Sequence, residues 1–295
     1  MHRSLSITFL GALVALVAAA PAGAAAPVVR TVTKKAPIRE GKVTETKVRC
    51  PSTMVAIAGT VLSHPSASTF RKSLPSGART WRFAFGGYVG ASKHRAIVQL
   101  RCVGLNVPSR AGKVNLNVNT VSRGLGVNAL GKAEITMNCR PGYVPTAWGF
   151  DIPPPNTTQD VLPPEELQVY KALASSRGYS FGLENVGAGG QVAKLRVRCL
   201  ERAVAGKAGL THSWQLRSVR HSQRIRSGVR TVRHSCPKGY LSIGPGHSID
   251  PADDMLFRRS YDVKFGSAAW RFDNATGVNR VITQLLCLNA GSSFR

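Results

Sequence analysis

Apolar and polar residues alternate one by one along most of this chain. In the segment 113–121, Val114, Leu116 and Val118 fall on one face, with Lys113, Asn115 and Asn117 on the other. Trp81, Phe83 and Phe85 likewise share a face, with Arg82 turned away. A period of two is that of a half-buried strand. One segment departs from it. Residues 163–174 open with Pro and two Glu, the chemistry of a helix start, and Leu167, Tyr170, Leu173 and Ala174 would form an apolar stripe. The equivalent segments 70–74 and 257–261 read as strands, so at most a short helical turn is expected there.

The strand pattern occurs three times. The cysteine pairs Cys50/Cys102, Cys139/Cys199 and Cys236/Cys287 bracket segments of similar length, and the first cysteine of each is followed by related residues. These are Pro51-Ser-Thr-Met-Val55, Arg140-Pro-Gly-Tyr-Val144 and Pro237-Lys-Gly-Tyr-Leu241. A small residue follows (Ala58, Ala147, Gly244), then an aromatic strand (Trp81 and Phe83, Tyr179 and Phe181, Trp270 and Phe272). Turn residues close that strand: Gly86-Gly87, Asn185 with Gly187, Asn274 with Gly277. An apolar strand then ends each unit on its second cysteine. Self-similarity at a fixed period marks tandem units.

We expect an all-β chain of three tandem antiparallel β-sandwich-like modules of about five strands, each closed by one disulfide. A single three-fold β-prism is the alternative. The boundaries are 1–24 for a signal peptide, then modules over 25–107, 108–205 and 206–295, with 104–112 and 201–209 as linkers. Six cysteines leave many pairings open. The repeat selects Cys50–Cys102, Cys139–Cys199 and Cys236–Cys287, which join the two ends of each unit.

The Cys-Pro-x-Gly start, the small-residue cluster, the Trp strand and the closing apolar-Cys strand resemble a β-module of secreted actinobacterial proteins. The glycine cluster of that module is degraded here to Ala58-Gly59-Thr60, Ala147-Trp148-Gly149 and Gly244-Pro245-Gly246, and Thr53 replaces the Gly of the first unit. The resemblance implies secretion and a disulfide-closed β module, with no catalytic residues to carry over. The three-fold repeat is also similar, more faintly, to the β-prism of vitelline membrane outer layer proteins.

The N-terminus agrees with export. Arg3 precedes an apolar stretch from Leu5 to Ala20, and Ala22-Gly23-Ala24 offers small residues for cleavage. An uncleaved anchor over Leu5–Ala26 is the alternative reading. No other stretch is long and apolar enough to span a membrane as a helix. An extracellular setting favours disulfides, and no C-x-x-C or Cys/His cluster suggests zinc.

Charge changes the picture most. The chain carries 40 Lys and Arg against 14 Asp and Glu. Residues 46–133 hold 13 basic residues and no acid, and 202–249 again hold none. In the second stretch stand Arg217, Arg220, Arg224, Arg226, Arg230 and Arg233. Alternation puts Arg224, Arg226 and Arg230 on one solvent face if the register holds through Gly228. Permanently charged, planar guanidinium groups suit phosphate and carboxylate partners. The partner expected is therefore an anionic surface polymer or polysaccharide; no nucleic-acid fold motif is present to specify DNA or RNA.

Catalytic signals are weak. Gly178-Tyr-Ser180-Phe-Gly182 matches a nucleophile-elbow spacing, but the repeat places Ser180 at the positions of Arg82 and Arg271, in mid-strand. Asp250, Asp253 and Asp254 lack the spacing of a calcium loop, and Asp151 and Asp250 read as turn residues. The seven His are scattered. No metal or cofactor is expected. Asn156-Thr-Thr158 and Asn274-Ala-Thr276 fit the N-glycosylation pattern. The expected function is a non-catalytic, secreted or envelope-associated β-repeat protein that associates with anionic cell-envelope or matrix polymers. The alternatives are a carbohydrate-binding module, which needs Trp148, Trp214 or Tyr240 exposed in a row, and a secreted hydrolase.

Overall fold

The computed structural model describes residues 26–64, 68–88, 94–106, 116–153, 167–205, 211–250, 255–264 and 266–289. The signal segment, Asn156, Asp253 and Asp254 lie outside them. The described chain is all β. The first unit supplies β1 (Ala26–Pro37), β2 (Val43–Arg49), β3 (Val55–Ser63), β4 (Ser68–Pro75), β5 (Thr80–Gly87) and β6 (Arg95–Asn106). The second supplies β7 (Val118–Val127), β8 (Lys132–Asn138), β9 (Tyr143–Asp151), β10 (Leu167–Ala174), β11 (Gly178–Asn185) and β12 (Gln191–Glu201). A short pair, β13 (Ala203–Ala205) and β14 (Thr211–Ser213), leads into the third. There β15 (Leu216–Ser235), β16 (Tyr240–Asp250), β17 (Met255–Lys264) and β18 (Ser267–Asn289) complete the chain.

Units 1 and 2 thus use six main strands each, not five, and in unit 3 two pairs are fused into the long strands β15 and β18. Two expectations are corrected. The proposed linkers are partly strand, since β6 runs to Asn106 and β13 covers Ala203–Ala205. The segment with the helix-start chemistry is β10 over its described part. Pairing overrides local propensity there: β10 lies between β11 and β16, with Leu167 and Ala172 buried, and a bulge between Val169 and Lys171 turns Tyr170 over Gly182.

The modules do not close on themselves. The strands form three main antiparallel sheets: β1-β6-β3, β2-β5-β4-β9-β12-β7, and β15-β18-β16-β10-β11-β8 with β17 also on β18. The second sheet joins half of unit 1 to half of unit 2 where Lys72 and Ser73 pair with Asp151 and Phe150. The third joins the rest of unit 2 to unit 3 where Lys171 and Ala172 pair with Ser248 and His247.

The glycine cluster explains these seams. A Cβ on Gly149 would lie 2.0 Å from the Ser73 carbonyl oxygen, and one on Gly246 would lie 2.6 Å from that of Ala172. Only glycine lets the backbones of neighbouring units approach this closely. Unit 1 has Thr60 at the equivalent place; β17 lies beside β3 there, yet no ladder joins them among the described residues. At the centre β3, β9 and β16 each approach the other two. The Thr146 hydroxyl donates to the Ile57 carbonyl at 2.9 Å, and a Cβ on Gly244 would lie 2.4 Å from the Thr146 carbonyl oxygen.

Each unit packs its two half-sheets on an apolar core. Trp81, Phe83 and Phe85 anchor the first, Tyr179, Phe181 and Leu195 the second, and Trp270, Phe272 and Leu285 the third. The second core also draws Ile57 and Val103 from unit 1 and Ile243 and Leu286 from unit 3. The three disulfides are Cys50–Cys102, Cys139–Cys199 and Cys236–Cys287, with Cα separations of 5.7, 5.9 and 5.7 Å. The first two staple one sheet to another, because Cys50 follows β2 while Cys102 lies in β6, and Cys139 follows β8 while Cys199 lies in β12.

Candidate functional site: the basic face of the long ladder

Strands β15 and β18 form one long ladder from Leu216↔Leu288 to Ser235↔Ser267, broken by a register shift between Arg226 and Gly228. Gly228 has φ of +95°, a conformation that favours glycine. The bend changes which residues face inward. Before it, Ile225 is buried, an odd position; after it, Val232 is buried, an even one. The expected register through Gly228 therefore does not hold. Arg220, Arg224 and Arg226 share the outer face of the half-ladder before the bend; Arg233 points outward from the half after it, which packs across the core. Arg230 stands opposite the buried Phe272 on the other face, and is exposed there because β15 is an edge strand. Arg217 is also on that side, with its guanidinium 5.1 Å from the Tyr240 ring.

The partner strand adds two arginines that sequence reasoning did not single out. Arg280 is exposed and stands directly opposite Arg224; Arg271 is half-buried, opposite Thr231. Neither has a density signal in the sequence; only the register of β15 with β18 identifies them. Arg280 Nε donates to Ser222 Oγ at 2.9 Å. Among the residues whose side chains are described, no ion pair involves Arg217, Arg220, Arg224, Arg226, Arg230, Arg233 or Arg280; those present join Lys72 to Glu45 and Asp151, Arg82 to Glu45, Lys132 to Glu184, and Lys171 to Glu134. Asp250 ends β16 and stands opposite Arg280 in the ladder of β16 with β18.

Two other arginines are not surface groups at all. Arg101 and Arg198, each just before the second cysteine of its unit, are 8% and 2% exposed. Burial pushes both down to about 10, still cationic at neutral pH. Arg101 donates to Ser242 Oγ at 2.7 Å and lines a small recess between units 1 and 3, beside Thr60, Gln99 and Pro245. These two cations cross-link units, which a count of basic residues does not reveal.

The remaining candidates are placed as follows. Ser180 lies in mid-strand β11, opposite Thr136, its hydroxyl 3.0 Å from Thr136 Oγ1. Trp214 is buried. Trp148 is half-buried, donates to the Pro245 carbonyl at 2.8 Å and packs against Phe150, Phe181 and His247. With Tyr240 under Arg217, these aromatics form no exposed row. Asn274 is buried, and its Nδ2 donates to the Ile225 carbonyl at 3.0 Å, which removes it as a glycan acceptor in the folded protein. Asp151 ends β9 and pairs with Lys72 at 3.2 Å.

The histidines are less scattered than the sequence suggests. The bend in β15 brings His221 and His234 into a stack with ring centroids 4.2 Å apart. Burial, and then the neighbouring His221, hold His234 below the usual imidazole range. His247 is buried in the seam of units 2 and 3, facing the Val169 carbonyl at 2.9 Å, and burial pushes it down to about 4. No group of three or more His, Cys, Asp or Glu converges as a metal site among the described residues. No protein-family model matches this chain, and no curated protein is similar to it in sequence.

Proposed function

We propose that this is a non-catalytic, exported protein that associates with anionic polymers of a cell envelope or matrix through the outer face of β15 and β18. The observation that carries the reading is the row Arg220, Arg224 and Arg226, with Arg280 beside it, exposed and outside every ion pair among the residues whose side chains are described. Such a face attracts polyanions over a Debye length and holds them by many weak contacts. Three disulfides agree with an oxidising compartment, where the signal-like N-terminus would deliver the chain. We take the three shared sheets, meeting where β3, β9 and β16 converge, as one three-sided prism rather than three beads on a string.

The test is sedimentation of the mature chain with dextran sulfate, neutral dextran and cell-wall fractions. Binding to dextran sulfate and to the acidic wall fraction should fall at least about tenfold between low and moderate salt, as counterion release requires. Replacing Arg220, Arg224 and Arg226 with Gln should weaken it similarly while the melting temperature stays nearly constant, since exposed charges contribute little to folding. Equal, salt-independent retention on neutral dextran would instead support the carbohydrate-binding alternative.

A further inference from the structure

We infer that Arg224 and Arg280 form a clamp for a phosphate monoester group. The inference rests on the polyanion reading above and specifies its ligand. The two residues are direct partners in the ladder of β15 with β18, so their side chains leave the sheet on the same face, and both are exposed. Like charges directly opposite one another are unfavourable in an antiparallel pair. No ion pair involves either guanidinium among the residues whose side chains are described, and Asp250 is the acid directly opposite Arg280 on β16.

Arg280 is held in place. Its Nε is occupied by Ser222 Oγ at 2.9 Å, two residues from Arg224 on the same strand, which leaves the terminal nitrogens of the fork for a ligand. Arg226 follows on the same face, opposite the exposed Val278. The site thus offers two planar forks on directly paired residues, with a third cation two residues along β15. A phosphate monoester carries close to two negative charges at neutral pH and three strong acceptor oxygens. That matches two guanidinium groups in charge and gives each fork its own oxygen pair with one shared. A planar carboxylate has one charge and satisfies one fork.

The test uses the full mature chain, titrated with phenyl phosphate and benzoate by calorimetry and with dextran sulfate by sedimentation. Phenyl phosphate should bind at least about fivefold more tightly than benzoate. Arg280→Lys and Arg224→Lys, which keep the charge but lose the fork, should each weaken phenyl phosphate about fivefold or more and leave dextran sulfate within about twofold. Ser222→Ala should weaken phenyl phosphate less than either. Arg280→Gln should leave the melting temperature unchanged or raised, because a like-charge contact is removed.

Phenyl phosphate affinity that survives both lysine replacements overturns the clamp while the general polyanion reading stands. Failure of the wild-type chain to bind either phenyl phosphate or dextran sulfate overturns both. A drop in melting temperature in Arg280→Gln, together with new phenyl phosphate binding in Asp250→Asn, would show Asp250 to be the partner of Arg280 and also overturn the clamp.

Discussion

Arg198 of the second unit reaches into the first, its guanidinium 5.9 Å from the Trp81 ring and its Nη2 donating to the Gly77 carbonyl at 2.6 Å. Arg196 on the same strand donates to Pro75 at 2.7 Å, so both cations hold the β4–β5 turn of their neighbour. Gln284 joins unit 3 to unit 2 in a similar way, accepting from the Ala174 amide at 2.6 Å and donating to its carbonyl at 2.8 Å.

Removing Arg198 should therefore damage two units together. Arg198→Ala leaves the Gly77 carbonyl without this donor and a void over Trp81, and should cost about 2–4 kcal/mol. Denaturant unfolding followed separately by far-UV and tryptophan signals should still give one coincident transition. Two separated transitions would mean that the units fold independently.

The seams provide a second expectation. Gly149→Val places side-chain atoms against the Ser73 carbonyl and should force β4 and β9 apart, with a loss of about 2–4 kcal/mol. Thr60→Gly, at the place where no ladder forms, should change stability far less. Thermal melts of the two variants compare them directly, and equal losses would contradict the role given to the glycine.

Acid should destabilise the protein through His247. Its folded value of about 4 lies below the unfolded value near 6.5, so the unfolded chain binds the proton more readily in between. The neutral, buried imidazole is compatible with full stability above about pH 6.5. Stability is then lost as pH falls toward 4, by at most about 3 kcal/mol, and levels off below that. His234, shifted in the same direction, adds to the slope. His247→Gln should flatten the stability profile between these limits, measured by urea unfolding at a series of pH values.

Ser180 should be unreactive toward fluorophosphonate probes. Its hydroxyl is 3.0 Å from Thr136 Oγ1 in the middle of a ladder, with no imidazole placed to act as its base among its described hydrogen bonds. Mass spectrometry of the folded protein after probe treatment checks this, and stoichiometric labelling at Ser180 would overturn it.

The alternation of Trp81, Phe83 and Phe85 was enough to place the core strands, and the repeat was enough to pair the cysteines. Strand exchange between units was not legible, because a strand edge carries no label for the unit it will meet. The only trace was Gly149 and Gly246 against Thr60, and their meaning depends on which backbone approaches them. The basic face was half legible. The density of arginine on β15 marked the strand, but the bulge at Gly228 inverted the facing of Arg230, and Arg280 joined the face from a strand distant in sequence.

Sharing strands between units also sets an order of events for the growing chain. When the chain has emerged only as far as β4, the outer edge of that strand has no partner, and the first disulfide can form only after Cys102 follows. The edge stays bare until β9 is made, and β10 then waits in turn for β16. Each newly made unit is thus the chaperone of the one before it, and a chain truncated after either of the first two copies would present a sticky edge to other chains.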